Sequence, residues 1–267
     1  CRPDTFNPWE PVVADMEMIL VTPTGYKRSW NAKHCCGEAV EQGLDDVGFL
    51  IELEREVQRI LGPLASPAVF GVGWSNGGFL VAYTAMHKNN PFKAIAPISG
   101  HQYRDTYRPK HAQHVIPPVP TFFHHGRDDT FVQFNGCCQS EMSNVNEMCC
   151  CGISSRSDIC IATDETFRKW GVEVNGCSED SEPIIVRQDD RLSMTCHNLI
   201  GCSANTTLCV YEHHGHFNSV RFPLVHEVFS FFGDEACRMN NGVWDHGTAS
   251  CTCEEASHRT GRYCLSG

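Results

Sequence analysis

Short apolar segments alternate with segments of helical periodicity along most of this chain, and this alternation constrains its fold more than any other feature. The apolar segments predict strands at residues 18–21, 68–72, 94–98, 119–123 and 208–211. The periodic segments predict helices at Asp46–Leu61, 78–87 and 224–232, the first with Asp45 or Asp46 as its N-cap. Continuous apolar strands are typical of buried parallel sheets. We therefore predict an α/β fold with a mostly parallel sheet and helices on both faces.

Seventeen cysteines indicate the compartment in which the chain folds. Several of them are adjacent, as in Cys35-Cys36, Cys137-Cys138 and the triplet at 149–151, and such clusters would be hazardous as free thiols. Dense cysteines are typical of a disulfide framework in a secreted protein. Structural zinc sites use C-x-x-C pairs, and the sequence has none. Because seventeen is odd, at least one cysteine is free or pairs outside the chain.

The net charge of −11 excludes several classes of partner. Nucleic acids and anionic membranes present phosphates that basic residues must neutralise, so we expect neither of them as a partner. No apolar run approaches the ~20 residues that a membrane-spanning helix needs. The sequon Asn205-Thr206-Thr207 predicts glycosylation at Asn205 and agrees with secretion. The chain starts at Cys1 without an initiator methionine or signal peptide, which indicates a processed or partial product.

Two segments depart from the alternation of strands and helices. Residues 135–160 are rich in Cys, Ser and Asn and predict a disulfide-pinned surface insertion. From Cys237 onward, cysteines stand among glycine, asparagine and charged residues, with too few apolar groups for a core. We therefore predict two domains, 1–234 and a small disulfide-rich module at 235–267.

The segment Gly73-Trp74-Ser75-Asn76-Gly77 fits the G-x-S-x-G pattern of a nucleophile elbow. A buried strand is predicted before it and a helix after it, and glycines on both sides permit a sharp turn. In this interpretation Ser75 is a nucleophile, and the backbone N–H of Asn76 points toward an oxyanion. The alternative is a tight turn in which Ser75 only caps the helix.

A serine nucleophile requires an acid and a histidine, which follow it in that order in this fold class. The loop at 126–130 carries Asp128 and Asp129 directly after a predicted strand, and the segment 213–216 carries three histidines after the last one. The alternative is that each of these aspartates is an ordinary loop carboxylate and each histidine an ordinary surface or core residue. Histidines in two clusters also suggest a metal site. We predict none, because His124 and His125 are adjacent on a strand and point to opposite faces.

Several motifs together resemble the secreted polyhydroxybutyrate depolymerase and feruloyl esterase family of α/β-hydrolases. The resemblance covers roughly residues 6–233, and its motifs are Ser29-Trp30-Asn31-Ala32, Cys35-Cys36-Gly37, Asp45-Asp46-Val47-Gly48-Phe49, Ser75-Asn76-Gly77-Gly78, Pro118-Val119-Pro120, His125-Gly126-Arg127-Asp128-Asp129, Asn175-Gly176-Cys177 and Gly215-His216. It implies an α/β-hydrolase fold with Ser75 as nucleophile and His216 as base. It also implies Asp129 as the acid, because Asp129 is the fourth residue after His125.

Two departures from the family pattern bear on catalysis. The family has N-terminal strands and a His-Gly loop ahead of the strand predicted at 18–21, and this sequence does not contain them. That loop supplies an oxyanion donor, so either the donor lies on a piece absent from this sequence or the oxyanion site is incomplete. Loss of such a donor commonly costs ~100- to 1,000-fold in turnover. The family's Trp-Pro-Gly after the catalytic histidine is replaced by Phe217-Asn218-Ser219.

The end of the chain resembles a shortened EGF-like module. The resemblance rests on Cys237, Asn240-Asn241-Gly242, Cys251-Thr252-Cys253 and Gly261-Arg262-Tyr263-Cys264. The first and third cysteines of the module are missing. The resemblance therefore implies the disulfides Cys237–Cys251 and Cys253–Cys264. EGF-like modules act mostly as spacers or interaction units, which implies an extracellular protein partner through this tail or through an unpaired cysteine.

The sequence as a whole favours a secreted serine esterase that needs no cofactor. Its expected substrates are carboxylic esters of the feruloyl, acetyl-polysaccharide or polyester type, polymeric or linked to carbohydrate. The alternative is an extracellular structural or adhesive glycoprotein module that has an esterase-like fold and little or no turnover, since one fold can host unrelated functions.

Overall fold

The structure, a computed structural model, describes residues 9–62, 68–100, 102, 106, 116–136, 161–216 and 222–253. The predicted insertion at 135–160 lies almost wholly outside the described residues, as do Cys264 and residues 217–219. The helices are α1 (Glu10–Asp15), α2 (Gly37–Glu41), α3 (Asp46–Leu61), α4 (Asn76–Ala85), α5 (Thr163–Glu173) and α6 (Phe222–Met239). The strands are β1 (Val69–Trp74), β2 (Phe92–Ile98), β3 (Thr121–Gly126), β4 (Ile184–Asp189), β5 (Met194–Asn198), β6 (Thr206–Tyr211), β7 (Gly242–Asp245) and β8 (Ser250–Cys253).

Six of these strands form one mixed sheet in the order β1-β2-β3-β6-β5-β4. Strands β1, β2, β3 and β6 are parallel to one another, whereas β5 is antiparallel to β6 and β4 is antiparallel to β5. Strands β7 and β8 form a separate antiparallel hairpin. The prediction of an α/β fold with a mostly parallel sheet is confirmed.

Helices cover both faces of the sheet, because successive apolar side chains of its central strands point to opposite faces and both faces must be buried. On β2, Ala94, Ala96 and Ile98 belong to the core under α1 and α6, whereas Ile95 belongs to the core under α4 and α5. The other central strands alternate in the same way, since Phe122 of β3 lies in the first core and its neighbour Phe123 lies in the second. Strands that bury side chains on both faces read as continuous apolar segments, which is why they could be predicted.

The strand predicted at residues 18–21 does not form. Ile19 and Val21 are 63% and 43% exposed, and only Met18 and Leu20 pack against the core under α1 and α6. The segment therefore contributes two apolar side chains to the core without joining the sheet. The other four predicted strands are present with shifted ends, and the helix at Asp46–Leu61 has the predicted bounds. Asp45 caps that helix by accepting a hydrogen bond from the backbone N–H of Gly48 at 2.9 Å.

Four disulfides lie within the described residues. They are Cys35–Cys36, Cys177–Cys202, Cys196–Cys209 and Cys237–Cys251. Cys196 and Cys209 are directly opposite each other on β5 and β6, so this bridge joins the antiparallel part of the sheet to the parallel part. The Cys237–Cys251 bridge is one of the two that the EGF-like resemblance implies. Cys253 is also disulfide-bonded, and its expected partner Cys264 lies outside the described residues.

The described part of the tail packs against the main body of the molecule. Helix α6 continues past residue 234, where the first domain is predicted to end. Trp244 of β7 is only 6% exposed and belongs to the same core as α6. Its ring lies so close to Gly233 that a Cβ there would be 2.6 Å from it. The division into two domains stays a prediction.

Within the described part of the chain, no helix is both long and apolar enough to cross a membrane.

Candidate active site

Ser75 occupies a sharp turn between β1 and α4. Its backbone has φ 55° and ψ −122°, an uncommon conformation for a residue other than glycine. The turn also requires Gly73, because a Cβ at that position would overlap with the carbonyl group of Gly77. The backbone N–H of Ser75 donates to the carbonyl of Ile98 at 2.8 Å and so fixes the turn to β2. The strand, turn and helix thus match the expected elbow.

The hydroxyl of Ser75 does not cap the helix that follows it. Ser75 stands at the N-cap position of α4, yet its side chain makes no capping hydrogen bond. Its Oγ lies instead 2.9 Å from Nε2 of His216. The two residues are far apart in the sequence, so the contact depends on the tertiary fold.

The imidazole of His216 lies between Ser75 and Asp129. Its Nδ1 is 2.7 Å from Oδ2 of Asp129. A carboxylate only accepts hydrogen bonds, so Nδ1 carries the proton and donates it, which leaves Nε2 to accept from the Ser75 hydroxyl. Asp129 and His216 are 4% and 6% exposed, respectively. The three side chains therefore form a continuous, largely buried line of hydrogen bonds.

The structure distinguishes Asp129 from its neighbour Asp128. The Asp128 side chain is 62% exposed, and its nearest histidine contact is a 3.9 Å approach to the exposed His213. Asp129 points inward, where its Oδ1 accepts from the backbone N–H groups of Phe131 and Val132 at 2.9 and 2.8 Å. These two bonds fix the carboxylate and leave Oδ2 for the imidazole of His216.

The charge state of Asp129 follows from its surroundings. Burial raises the pKa of this carboxyl, but the interactions with the imidazoles of His125 and His216 together lower it by more. The net result holds the pKa of Asp129 well below its ordinary value. The residue is therefore a carboxylate at neutral pH, the state that orients an imidazole.

Two aromatic rings flank His216, and neither was predicted as a site residue. The Trp74 and His216 ring centroids are 5.0 Å apart, and those of Phe131 and His216 are 5.2 Å apart. The indole N–H of Trp74 also donates to the backbone carbonyl of His216 at 3.1 Å. Trp74 occupies the variable position of the G-x-S-x-G pattern, so the motif gave no signal that it would contact the histidine.

Asn76 begins α4, as the elbow requires. The first N–H groups of a helix have no partner inside it and carry partial positive charge, so they favour an anion. The Asn76 side chain has a separate role that was not predicted. Its Oδ1 accepts from the backbone N–H of Trp30 at 2.7 Å, and its Nδ2 donates to the Trp30 carbonyl at 3.0 Å. These bonds tie the elbow to the loop around residue 30.

The remaining predicted site residues lie away from this cluster. Asn205 is half-buried just before β6, and its Oδ1 accepts from the hydroxyl of Thr207 at 3.3 Å. Cys237 and Cys251 belong to α6 and β8, and their bridge ties the β7–β8 hairpin to that helix. Among the described residues, no group of three or more His, Cys, Asp or Glu is placed to hold a metal ion.

The parallel sheet explains how distant residues meet. Ser75 directly follows β1, Asp129 lies just beyond β3, and His216 lies just beyond β6. The carboxyl ends of parallel strands share one edge, where α/β proteins build their ligand sites. Chemically, such an arrangement can transfer a proton from a serine hydroxyl to an imidazole while a carboxylate stabilises the resulting cation.

The sequence matches no model of a known protein family, and no curated protein is significantly similar to it. The resemblance to the depolymerase and esterase family stays a hypothesis, and the site is interpreted from its own geometry.

Proposed function

We propose that this protein is a serine esterase of the α/β-hydrolase type, which hydrolyses carboxylic esters through Ser75, His216 and Asp129. The observation that carries the proposal is the unbroken hydrogen-bonded line from Ser75 Oγ through His216 to Asp129, at 2.9 and 2.7 Å. The positive φ of Ser75 supports the same conclusion, since strained backbone conformations concentrate at functional sites.

The proposed reaction follows from the roles of the three side chains. Ser75 Oγ attacks the ester carbonyl carbon while Nε2 of His216 takes its proton, and the tetrahedral intermediate collapses with release of the alcohol. The imidazolium returns the proton to the leaving oxygen. A water molecule then gives a proton to Nε2 of His216 and attacks the acyl carbon, and the imidazolium passes that proton to Ser75 Oγ as the acid leaves. Asp129 keeps the proton on Nδ1 and stabilises the imidazolium.

The oxyanion that forms in each step would lie at the start of α4. We propose the backbone N–H of Asn76 as one of its donors, because this group follows the nucleophile at a helix N-terminus. The hydrogen bonds between the Asn76 side chain and the Trp30 backbone support that role, because they hold the residue in place without occupying its backbone N–H. Removing such a donor commonly costs ~100- to 1,000-fold in turnover.

We also propose that the esterase is secreted and carries a shortened EGF-like module at residues 235–267. The four disulfides of the described residues support an oxidising compartment. The Cys237–Cys251 bridge and the β7–β8 hairpin support the module. Substrates of the feruloyl, acetyl-polysaccharide or polyester type rest on the family resemblance, as does an extracellular protein partner that binds the module.

The direct test of the activity is hydrolysis of p-nitrophenyl acetate by the purified protein and by Ser75→Ala. We expect release of p-nitrophenol that saturates with substrate concentration, and we expect Ser75→Ala to abolish it. Ser99→Ala is the matched control, because Ser99 also has a positive φ and follows the neighbouring strand β2. Equal rates for the wild type and Ser75→Ala would contradict the proposal and favour a structural or adhesive module.

A further inference from the structure

A second buried histidine lies directly behind the carboxylate of Asp129. His125 is 2% exposed and occupies the end of β3. Its Nε2 is 2.7 Å from the carbonyl oxygen of Val132 and 3.5 Å from Oδ2 of Asp129. Its Nδ1 is 3.0 Å from the hydroxyl of Thr163, the first residue of α5. The reaction proposed above assigns no role to this imidazole.

The neighbours of His125 determine where its proton lies. The Val132 carbonyl can only accept a hydrogen bond, so Nε2 of His125 carries a proton and donates it. In the neutral imidazole Nδ1 then accepts, and the Thr163 hydroxyl is its donor. Thr163 thus donates to His125, and His125 donates to Val132. The same Nε2–H group also faces Asp129.

Residues 129–132 connect His125 to both the acid and the base. Val132 accepts from His125 through its carbonyl and donates to Asp129 Oδ1 through its N–H. Phe131, its neighbour in the same segment, places its ring 5.2 Å from the His216 ring. A displacement of this segment would therefore move the carboxylate and the aromatic surface that orient the His216 imidazole.

We propose that His125 is a positioning residue of the esterase, which holds residues 129–132 in place and so orients Asp129 and His216 for proton transfer. This inference rests on the function proposed above. It assigns His125 no contact with substrate, and it assigns Thr163 the task of fixing the tautomer of His125. Loss of the imidazole is expected to misplace the base while the substrate-binding surface is retained.

The adjacent His124 provides a matched control. It is equally buried at 1% exposure on the same strand, but it faces the core under α6, where its Nδ1 is 3.3 Å from the hydroxyl of Tyr211. His125→Leu and His124→Leu therefore remove the same group from neighbouring positions on opposite faces of the sheet. His125→Gln is the conservative variant, because the glutamine amide nitrogen reaches the place of Nε2 and can donate to the Val132 carbonyl.

The kinetic test compares kcat and KM for ester hydrolysis in these variants. We expect His125→Leu to lower kcat about 100-fold with little change in KM, because small displacements of a catalytic group cost about that much. His125→Gln should recover most of the loss, and His124→Leu should keep the kcat of the wild type. Equal losses of kcat in His125→Leu and His124→Leu would overturn the proposal, as would a His125→Gln variant no better than His125→Leu.

A spectroscopic measurement separates this proposal from the esterase proposal itself. In protein labelled with 15N-histidine, the proton on His216 Nδ1 should give a strongly downfield signal, because it lies in a charge-assisted bond to Asp129. We expect His125→Leu to shift or broaden that signal and His124→Leu to retain it, whether or not the protein hydrolyses esters. An unchanged His216 signal in His125→Leu would overturn the positioning role.

If His125→Leu fails to fold, Thr163→Val tests the same chain of hydrogen bonds with a smaller change. It removes only the hydroxyl that donates to Nδ1. We expect it to shift the 15N resonances of His125 and the proton signal of His216. Unchanged signals from both histidines would overturn the proposal.

Discussion

At the scale of single residues, Asp128 and Asp129 show how surroundings assign different roles to identical side chains. Asp129 is buried against His216, whereas the Asp128 side chain is 62% exposed. We expect Asp129→Asn to lower kcat for ester hydrolysis by about 1,000-fold or more, because an amide no longer holds the imidazole in the correct tautomer. Asp128→Asn should leave kcat within about twofold of the wild type, since exposed charges contribute little.

Steady-state kinetics on both variants, with circular dichroism to confirm folding, make the comparison. Similar losses in the two variants would contradict the choice of Asp129 as the acid.

The two glycines of the G-x-S-x-G pattern also differ in their surroundings. A Cβ on Gly73 would overlap with the backbone of Gly77, whereas a Cβ on Gly77 would meet nothing within 4 Å. We therefore expect Gly73→Ala to lower the free energy of unfolding by about 3 kcal/mol or more, in the range of severe backbone and packing defects. Gly77→Ala should be neutral or stabilising by up to ~1 kcal/mol, because Gly77 lies in a helix.

Urea denaturation of the two variants and the wild type measures both effects. A Gly73→Ala variant as stable as Gly77→Ala would show that the turn does not need the close approach described for the elbow.

The sequence indicates a site residue only where that residue belongs to a motif whose position in the fold is known. Ser75 is marked by its glycines, whereas the order of the strands marks only the segments 126–130 and 213–216, and within them Asp129 and His216 rest on the family resemblance. Trp74 and Phe131 contact His216 only because three loops meet at one edge of the sheet. No local spacing encodes such contacts, so the sequence alone did not indicate them.

At the scale of elements, the sequence predicted buried strands well and partly exposed ones poorly. Strands β1, β2, β3 and β6 are continuous apolar segments, whereas β4 has five exposed residues out of six and gave no clear pattern. Residues 18–21 are as apolar as a strand but do not pair. An apolar segment specifies burial, while strand formation also requires a neighbour that hydrogen-bonds to it.

Helix α6 carries a buried acid that should make stability depend on pH. Glu235 is 7% exposed. Its pKa is raised from 4.5 to about 7, mainly by burial, which Arg238 and Asn205 oppose and Asp234 reinforces. Between these two values the folded protein holds a proton that the unfolded chain has lost, so stability falls as pH rises through this interval. The substitution Glu235→Gln removes the titrating carboxyl group.

We expect Glu235→Gln to be about as stable as the wild type at pH 4.5 and more stable at pH 8, by up to about 3 kcal/mol. Thermal or urea denaturation across this pH range measures the difference, with Glu182→Gln as a control at an exposed side chain. A difference between Glu235→Gln and the wild type that stays constant with pH would contradict the raised pKa of Glu235.

At the scale of the whole molecule, disulfides link three pairs of segments: two segments after α5, the paired strands β5 and β6, and helix α6 with strand β8. The bridges Cys177–Cys202, Cys196–Cys209 and Cys237–Cys251 should each appear as a linked peptide pair when the native protein is digested without reduction. Mass spectrometry of the digest measures this directly. A bridge from Cys237 or Cys251 to a cysteine before residue 222 would contradict both the described pairing and the proposed module.

We propose that the fold of this molecule serves to activate one serine, Ser75. Incubation of the native protein with a fluorophosphonate, followed by digestion and mass spectrometry, tests this claim without any assumption about the substrate. We predict a covalent adduct on Ser75, because a serine hydrogen-bonded to a histidine in this geometry is a strong nucleophile. The adduct should be lost on heat denaturation before labelling and greatly reduced in His216→Ala. Natively folded protein without an adduct on Ser75 would contradict the account.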